Sequence, residues 1–121
     1  MATLNRDGAP TRALLTLALV LLLPGGVGCG GRDPADPAYN TLVRAPHRFG
    51  HETLRRPDPL YDVVLLTDWN WPDARPGRGS AIFLHVWRKP RHPTEGCIAV
   101  RRDHLEWIVR RVAPGSRVIV P

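Results

Sequence analysis

One cysteine and one histidine in this chain have the residue types and the spacing for nucleophilic chemistry. Cys97 follows a glycine at the end of a loop, and His85 lies in the apolar run before that loop. A thiolate is a strong nucleophile, and an imidazole can accept the thiol proton near neutral pH. The pair predicts nucleophilic catalysis with Cys97 as nucleophile and His85 as base. The alternative is that Cys97 is a small buried hydrophobe and His85 a structural histidine.

A strand over Ser80–Trp87 is predicted to hold His85, because its side chains alternate between two faces. One face carries Ala81, Phe83, His85 and Trp87, and the other carries Ile82, Leu84 and Val86. The following loop contains Pro90 and Pro93, which exclude a central strand. His92 lies between these prolines, so we expect it to be a surface residue and His85 to be the base.

The turn before Cys97 is predicted to shape the site. Thr94, Glu95 and Gly96 lead into the cysteine, and the apolar run Ile98–Val100 follows directly. Backbone amides around Gly96 and Cys97 could form an oxyanion hole, since a glycine lets a substrate approach closely.

Four further segments support this stretch. Tyr61–Leu66 predicts a buried strand, Arg101–Val112 an amphipathic helix, and Arg117–Val120 a short closing strand. The connection Thr67–Gly79 is rich in turn residues and carries two tryptophans. It either walls a substrate cleft or covers the core.

Residues 1–28 are predicted to be a secretory signal segment. Arg6 and Arg12 precede the apolar run Ala13–Leu23, which is too short to span a bilayer as a helix. Small residues before Cys29 favour lipidation there as an alternative, and a buried helix of the domain is another. Membrane contact is expected only through this segment or through a lipid on Cys29.

The composition indicates one small domain. Its 121 residues include 17 Lys and Arg against 11 Asp and Glu, a net charge of +6. Such a charge suits an anionic cell-envelope polymer, and no nucleic-acid motif accompanies it, so we expect no nucleic-acid partner. The cysteines and histidines match no standard zinc spacing, so neither a metal nor a cofactor is expected.

The mature chain is predicted to have two parts. Residues 29–59 are polar and proline-rich and are interpreted as a loop region, while residues 60–121 form the core. Cys29 and Cys97 could pair in a disulfide, which would silence the nucleophile.

The block IFLHV, followed after a loop by TEGCIAV, resembles the L,D-transpeptidase catalytic domain, also called the YkuD domain. That family's motif runs from a histidine through a variable loop to a Ser/Thr-x-Gly-Cys box. The resemblance extends through DPAYN, YDVVLL and PGRGSAIF to the helix, roughly from Asp33 to Val120. A short loop and a TxGCxA box place it in a sub-branch. The resemblance implies a mainly β fold with one α-helix, an α+β domain of the L,D-transpeptidase-like β-sandwich type, shortened at its N-terminus.

The resemblance also implies roles for the site residues. Cys97 is the acyl-accepting nucleophile, His85 accepts and returns the proton, and Thr94 with Gly96 shapes the cysteine's turn and oxyanion pocket. Residues expected to contact the substrate are Asn70, Ser80 and Glu95.

Two positions depart from the family pattern. Many members have histidine where Glu95 stands and arginine where Ala99 stands. A carboxylate at Glu95 would raise the pKa of the thiol if it pointed inward. Both departures concern the position that a substrate takes relative to Cys97 and His85.

The family forms an acyl-enzyme with a peptidoglycan stem peptide and passes the acyl group to an amine or to water. The resemblance therefore implies a cysteine acyltransferase of the bacterial periplasm or cell envelope that cross-links or remodels the wall. Capture of the acyl group by water would make it an L,D-carboxypeptidase. The alternative from another class is a degenerate, non-catalytic cell-wall-binding domain. Nothing in the sequence indicates an oligomeric state.

Overall fold

A computed structural model describes residues 11–16, 27–30, 33–113 and 115–120 of the chain. The strands are β1 (Thr11–Thr16), β2 (Val27–Gly30), β3 (Leu42–Arg44), β4 (His51–Thr53), β5 (Leu65–Thr67), β6 (Phe83–Val86), β7 (Ile98–Val100) and β8 (Arg117–Val120). The helix α1 (Arg102–Val109) lies between β7 and β8, and a 3₁₀ turn spans Pro59–Tyr61. Within these residues the predicted α+β class, mainly β with one α-helix, is confirmed. Within the described part of the chain, no helix has the length and apolar character needed to cross a membrane.

The strands form two sheets. A five-stranded sheet has the order β7-β6-β5-β1-β8, and a three-stranded sheet has the order β3-β2-β4. Only β6 and β7 are parallel among the described pairs. Their register pairs Leu84 with Ile98, His85 with Ala99 and Val86 with Val100. Alternation along β7 then puts Cys97, two residues before Ala99, on the same face as His85.

The alternation predicted around His85 separates two hydrophobic clusters. One cluster consists of Leu65, Leu84, Val86 and Leu105. The other consists of Leu54, Val64 and Phe83, and Cys97 packs against it. The first cluster seats α1 on the sheet, while the second lies on the face that carries the cysteine and the histidine.

Both predicted core strands are shorter than their apolar runs. β6 begins at Phe83 because Ala81 has φ of 55°, which takes the chain out of the extended region. β5 begins at Leu65, because Asp58 caps the 3₁₀ turn by accepting a hydrogen bond from Leu60 N–H. The cap holds Tyr61 in a turn, so the strand predicted over Tyr61–Leu66 is wrong at its start.

The helix is confirmed, although it is shorter than its apolar pattern. It begins at Arg102 rather than Arg101 and ends at Val109 rather than Val112. The N–H of Arg110 bonds to the carbonyl of Glu106, and the N–H of Arg111 bonds to the carbonyl of Ile108 at 2.9 Å, a 3₁₀-type bond that tightens the end of the helix. The closing strand Arg117–Val120 is confirmed as predicted.

The segment predicted as loop before the core contains the three-stranded sheet. Strands β3 and β4 have three residues each, too few for a period-2 pattern to be recognised. They pair on either side of β2. The prediction of loop throughout residues 29–59 is therefore wrong at these strands.

The predicted signal segment, residues 1–28, lies mostly outside the described residues. Within it, Thr11–Thr16 pairs antiparallel with β5 and with β8. The alternative of a buried helix is wrong for these strand residues. Cleavage and lipidation at Cys29 stay predictions, because the described part of the chain does not include its side chain.

Candidate active site

His85 and Cys97 line the same cleft, which has a volume of about 490 Å³. The cleft lies over the face shared by β6 and the start of β7. Its walls come from the loop before β6, from the turn before Cys97 and from the segment between β4 and the 3₁₀ turn. The two residues that the sequence singles out are thus brought together by the parallel pairing of two strands.

His85 is buried, with 6% of its surface exposed, and its Nδ1 lies 2.8 Å from the carbonyl oxygen of Val86. A carbonyl only accepts, so Nδ1 carries the hydrogen and Nε2 of the neutral ring has an unshared electron pair. Burial lowers the pKa of His85, and the Val86 hydrogen bond works in the opposite direction. The imidazole is therefore neutral near pH 7 and can accept a proton at Nε2.

Cys97 is a half-buried thiol. Its Sγ donates a hydrogen bond to the carbonyl of Ala81 at 3.1 Å and accepts one from the N–H of Phe83 at 3.5 Å. The carbonyl favours the protonated sulfur, whereas the amide favours the thiolate. Both forms of the sulfur therefore have a backbone partner in this position.

The turn before the cysteine is held by Thr94. Its hydroxyl donates to the carbonyl of Cys97 at 2.6 Å and accepts from the N–H of Gly96 at 3.4 Å. Gly96 has φ of 124°, a backbone conformation that side-chain-bearing residues rarely adopt. Thr94 and Gly96 together fix the path by which the chain reaches Cys97.

Gly96→Ala is expected to lower the free energy of unfolding by about 1–3 kcal/mol, because the backbone strain is large. An added Cβ would also lie 3.0 Å from Cδ1 of Ile82. Urea unfolding measures the loss. Gly50→Ala is the matched control, since no atom lies within 4 Å of a Cβ added at Gly50 and the φ of Gly50 is not positive. Equal stability of the two variants would contradict the strained turn.

Tyr61 is a cleft residue that the sequence did not single out. Its ring meets that of His85 edge to face, with centroids 5.0 Å apart, and its hydroxyl donates to Glu52 at 2.9 Å. Burial and the neighbouring Glu52 raise the pKa of Tyr61, so it is a neutral phenol. It packs against the histidine and links it to a carboxylate, whose charge works to raise the pKa of His85.

Arg56 completes this group on the other side of Tyr61. Its guanidinium carbon lies 5.1 Å from the centre of the Tyr61 ring. Two hydrogen bonds, of 2.9 and 2.7 Å, join it to Asp58 and lower the pKa of that carboxyl to about 2. Arg56 thus stays fixed beside the tyrosine across the usual pH range.

No periodic signal identifies this group. Tyr61 opens an apolar run in which it reads as one more strand residue, and Glu52 lies in the segment predicted as loop. The packing of the 3₁₀ turn against β6 brings Tyr61 to the histidine, and the hydrogen bond from Tyr61 brings Glu52 of β4 there as well.

The other predicted substrate residues divide into two kinds. Ser80 and Glu95 line the cleft, and Glu95 is exposed. Asn70 is not among the residues that line it. Its amide nitrogen donates to the carbonyls of Arg75 and Gly79, and its amide oxygen accepts from the N–H of Arg75. The Asn70 amide therefore braces its own loop, and substrate contact stays a prediction for Asn70, Ser80 and Glu95.

The connection between β5 and β6 forms part of the cleft wall. Gly77 and Gly79 line the cleft, while Trp71 is exposed. Trp69 donates from its indole to the carbonyl of Arg78 and braces the loop. The position of the two glycines agrees with the interpretation of this loop as a wall of the cleft. His92 is exposed, as expected, and also lies at the cleft.

Among the described residues, no three or more His, Cys, Asp or Glu side chains are grouped in a way that could hold a metal ion.

Residues 27–120 match the family model of the L,D-transpeptidase catalytic domain, YkuD. No match was found among curated proteins or among solved structures. The matched segment contains both His85 and Cys97 and covers most of the chain. It confirms the resemblance carried by IFLHV and TEGCIAV.

Proposed function

The chain belongs to the L,D-transpeptidase catalytic domain family, and we propose that it is an enzyme that transfers acyl groups of peptidoglycan stem peptides through Cys97. One observation carries the proposal. A neutral, buried His85 and a half-buried cysteine thiol lie on one face of two parallel strands and open into one cleft.

The first step is attack by sulfur. Nε2 of His85 takes the proton of Cys97, and the thiolate attacks the carbonyl carbon of a peptide bond in the stem peptide. The carbonyl oxygen becomes an oxyanion, which donors near Gly96 would stabilise. The N–H of Phe83 already donates toward the sulfur.

Collapse of this intermediate breaks the C–N bond and leaves a thioester on Cys97. The departing amine takes the proton from the His85 imidazolium. An incoming amine then attacks the thioester, gives its proton to His85 and leaves with a new amide bond, while the sulfur takes the proton back. Attack by water instead would release a carboxylic acid. The first outcome cross-links or remodels the wall, and the second trims stem peptides.

The contacts of His85 support its role in these proton transfers. The bond from Nδ1 to Val86 fixes the tautomer that accepts at Nε2. The carboxylate of Glu52, held by Tyr61, lies close enough to favour the imidazolium that forms.

Family members act in the bacterial cell envelope, which is where peptidoglycan is found. We propose the same location for this protein, reached through the signal-like segment in residues 1–28. A net charge of +6 suits an anionic wall polymer.

A carbapenem tests the proposal, because its strained amide acylates a nucleophilic cysteine of this family. The purified protein is incubated with the drug, and intact mass is followed by peptide mapping. We expect one covalent adduct on the peptide that contains Cys97. Folded protein that forms no adduct would contradict the enzyme and favour the non-catalytic wall-binding domain. Product analysis with a stem tetrapeptide, with and without an amine acceptor, then separates transfer from hydrolysis.

A further inference from the structure

The carbonyl that holds the Cys97 thiol belongs to a residue with an unusual backbone. Ala81 has φ of 55°, in the left-handed region where an L-residue other than glycine is disfavoured by about 1–2 kcal/mol. Its carbonyl accepts the S–H of Cys97 at 3.1 Å. An extended Ala81, as the alternating pattern of β6 would predict, would turn this peptide group elsewhere. The strained conformation therefore directs the carbonyl of Ala81 at the thiol of Cys97.

Asn40 supplies the contact that holds Ala81 in this conformation. Its amide oxygen accepts the N–H of Ala81 at 3.0 Å, although the two residues are 41 positions apart in the chain. Its amide nitrogen donates to the carbonyls of Trp69 at 2.9 Å and Asn70 at 2.8 Å. Every polar atom of the Asn40 side chain is thus engaged, and the side chain is fixed between two segments of backbone.

The residue after Ala81 is pinned from the other side. Thr67 donates to the carbonyl of Ile82 from its hydroxyl at 2.6 Å and from its N–H at 3.3 Å. Ala81 is therefore clamped between Asn40 at its N–H and Thr67 at the following carbonyl. Asn40 itself is not among the residues that line the cleft, whereas Ala81, to which it bonds, is.

We propose that Asn40 is a positioning residue that holds the Ala81 carbonyl against the thiol of Cys97 and so fixes the direction of the sulfur. The inference rests on the proposed role of Cys97 as nucleophile. In the resting site the sulfur keeps its proton on the Ala81 carbonyl, with the Phe83 N–H beside it. When His85 removes the proton, the Phe83 amide remains as the donor to the thiolate, and the sulfur stays in place for attack.

Loss of this contact has two opposite effects on the thiol. Without the carbonyl, the protonated sulfur loses its acceptor, so the thiolate forms more readily and small reagents react at lower pH. At the same time the sulfur is no longer held in one direction, and acyl transfer depends on direction. A residue that only stabilised the fold would not separate these effects.

Asn40→Ala tests the proposal against Asn70→Ala. The Asn70 side chain makes as many hydrogen bonds as that of Asn40, but they go to Arg75 and Gly79 and not to Ala81. Alkylation of Cys97 by iodoacetamide is followed against pH by peptide mapping, which leaves Cys29 out of the signal. Carbapenem acylation is measured in parallel, and circular dichroism checks folding.

For Asn40→Ala we expect the alkylation midpoint to fall by roughly half a pH unit, as loss of one weak hydrogen bond implies. Carbapenem acylation should slow about 10- to 100-fold. Asn70→Ala should leave the alkylation midpoint in place. An unchanged midpoint in Asn40→Ala, or the same midpoint shift in both variants, would overturn the proposal.

Two further variants keep the test decisive. Ala81→Gly in the Asn40→Ala background should recover part of the acylation rate, since glycine adopts a positive φ without strain. If Asn40→Ala does not fold, Asn40→Gly decides, because Asn40 has φ of 58°, which glycine adopts without strain, and this variant also lacks the oxygen for the Ala81 N–H. Its alkylation midpoint should fall as in Asn40→Ala, and an unchanged midpoint would overturn the proposal. Iodoacetamide reads the thiol whether or not a stem peptide is the substrate, so failure here is distinct from failure of the proposed function.

Discussion

Acylation of Cys97 is expected to slow about 10²- to 10⁴-fold in His85→Ala, the range over which a positioned general base contributes. His85 is the buried imidazole that shares a face with the thiol, and its Nδ1 bond to Val86 leaves Nε2 to accept the proton. Time-resolved mass spectrometry of the carbapenem adduct measures the rate.

His92→Ala is the matched control for this variant. His92 also lies at the cleft, yet it is exposed and is held in the loop only by a backbone bond to Lys89 among its described contacts. We expect its acylation rate to stay close to that of the wild type. Equal losses in the two variants would mean that His85 is not the base.

The pH dependence of the wild-type acylation rate is a second test of His85 as the base. Burial lowers the pKa of His85 below the ordinary 6.5, so its neutral form persists at more acidic pH than that of an exposed histidine. The acylation rate should therefore hold as pH falls through 6.5 and decline only below it. A decline that begins above 6.5 would assign the proton acceptor to another group.

The sequence identifies the candidate pair more readily than the elements that frame it. Cys97 and His85 stand out because nucleophilic chemistry depends on residue type and on a local pattern, and strand alternation correctly separates the face that carries His85 from the face that packs on α1. Their meeting needs one further fact, the parallel pairing of β6 with β7. No local pattern encodes that pairing, since it depends on the loop between them and on α1 packing beneath the sheet.

The sequence did not single out residues whose contacts join distant parts of the chain, nor residues whose backbone departs from the local conformational preference. Asn40 reads as a turn residue in a proline-rich segment, and its contact with Ala81 joins two distant loops. Ala81 reads as a strand residue, because nothing in an alternating run announces a positive φ. Local strain of this kind is maintained by tertiary contacts, so it is visible only in the folded chain.

Substrate contact by Asn70 stays a prediction, because its amide also has a structural use. A polar side chain in a loop beside a predicted cleft can face either the ligand or the loop backbone. Asn70 has φ of 55° and bonds to backbone groups of Arg75 and Gly79, so its amide serves the turn. The departures at Glu95 and Ala99 do not remove the site, because both residues line the cleft while His85 and Cys97 keep their contacts.

Replacement of Cys97 has the largest expected effect of any single change. Cys97→Ala removes the sulfur that forms the thioester in the proposed reaction, so no carbapenem adduct and no stem-peptide product should be detected. Cys97→Ser should also fail, because a hydroxyl is a far weaker acid than a thiol and the neutral imidazole of His85 cannot supply enough alkoxide. The two variants together separate loss of the atom from loss of its acidity.

Stability should change little in these variants, which makes the loss specific. Cys97 is half-buried at the edge of the cluster around Phe83, so its truncation is expected to cost about 1 kcal/mol, to be measured by urea unfolding. Cys29→Ser is the matched control and should keep the adduct, since the proposal places the nucleophile at Cys97, on the face that carries His85. An adduct that survives in Cys97→Ala would place the nucleophile elsewhere and defeat the proposed function. Loss of the adduct in Cys29→Ser as well would instead tie the reactivity of Cys97 to the strand that carries Cys29.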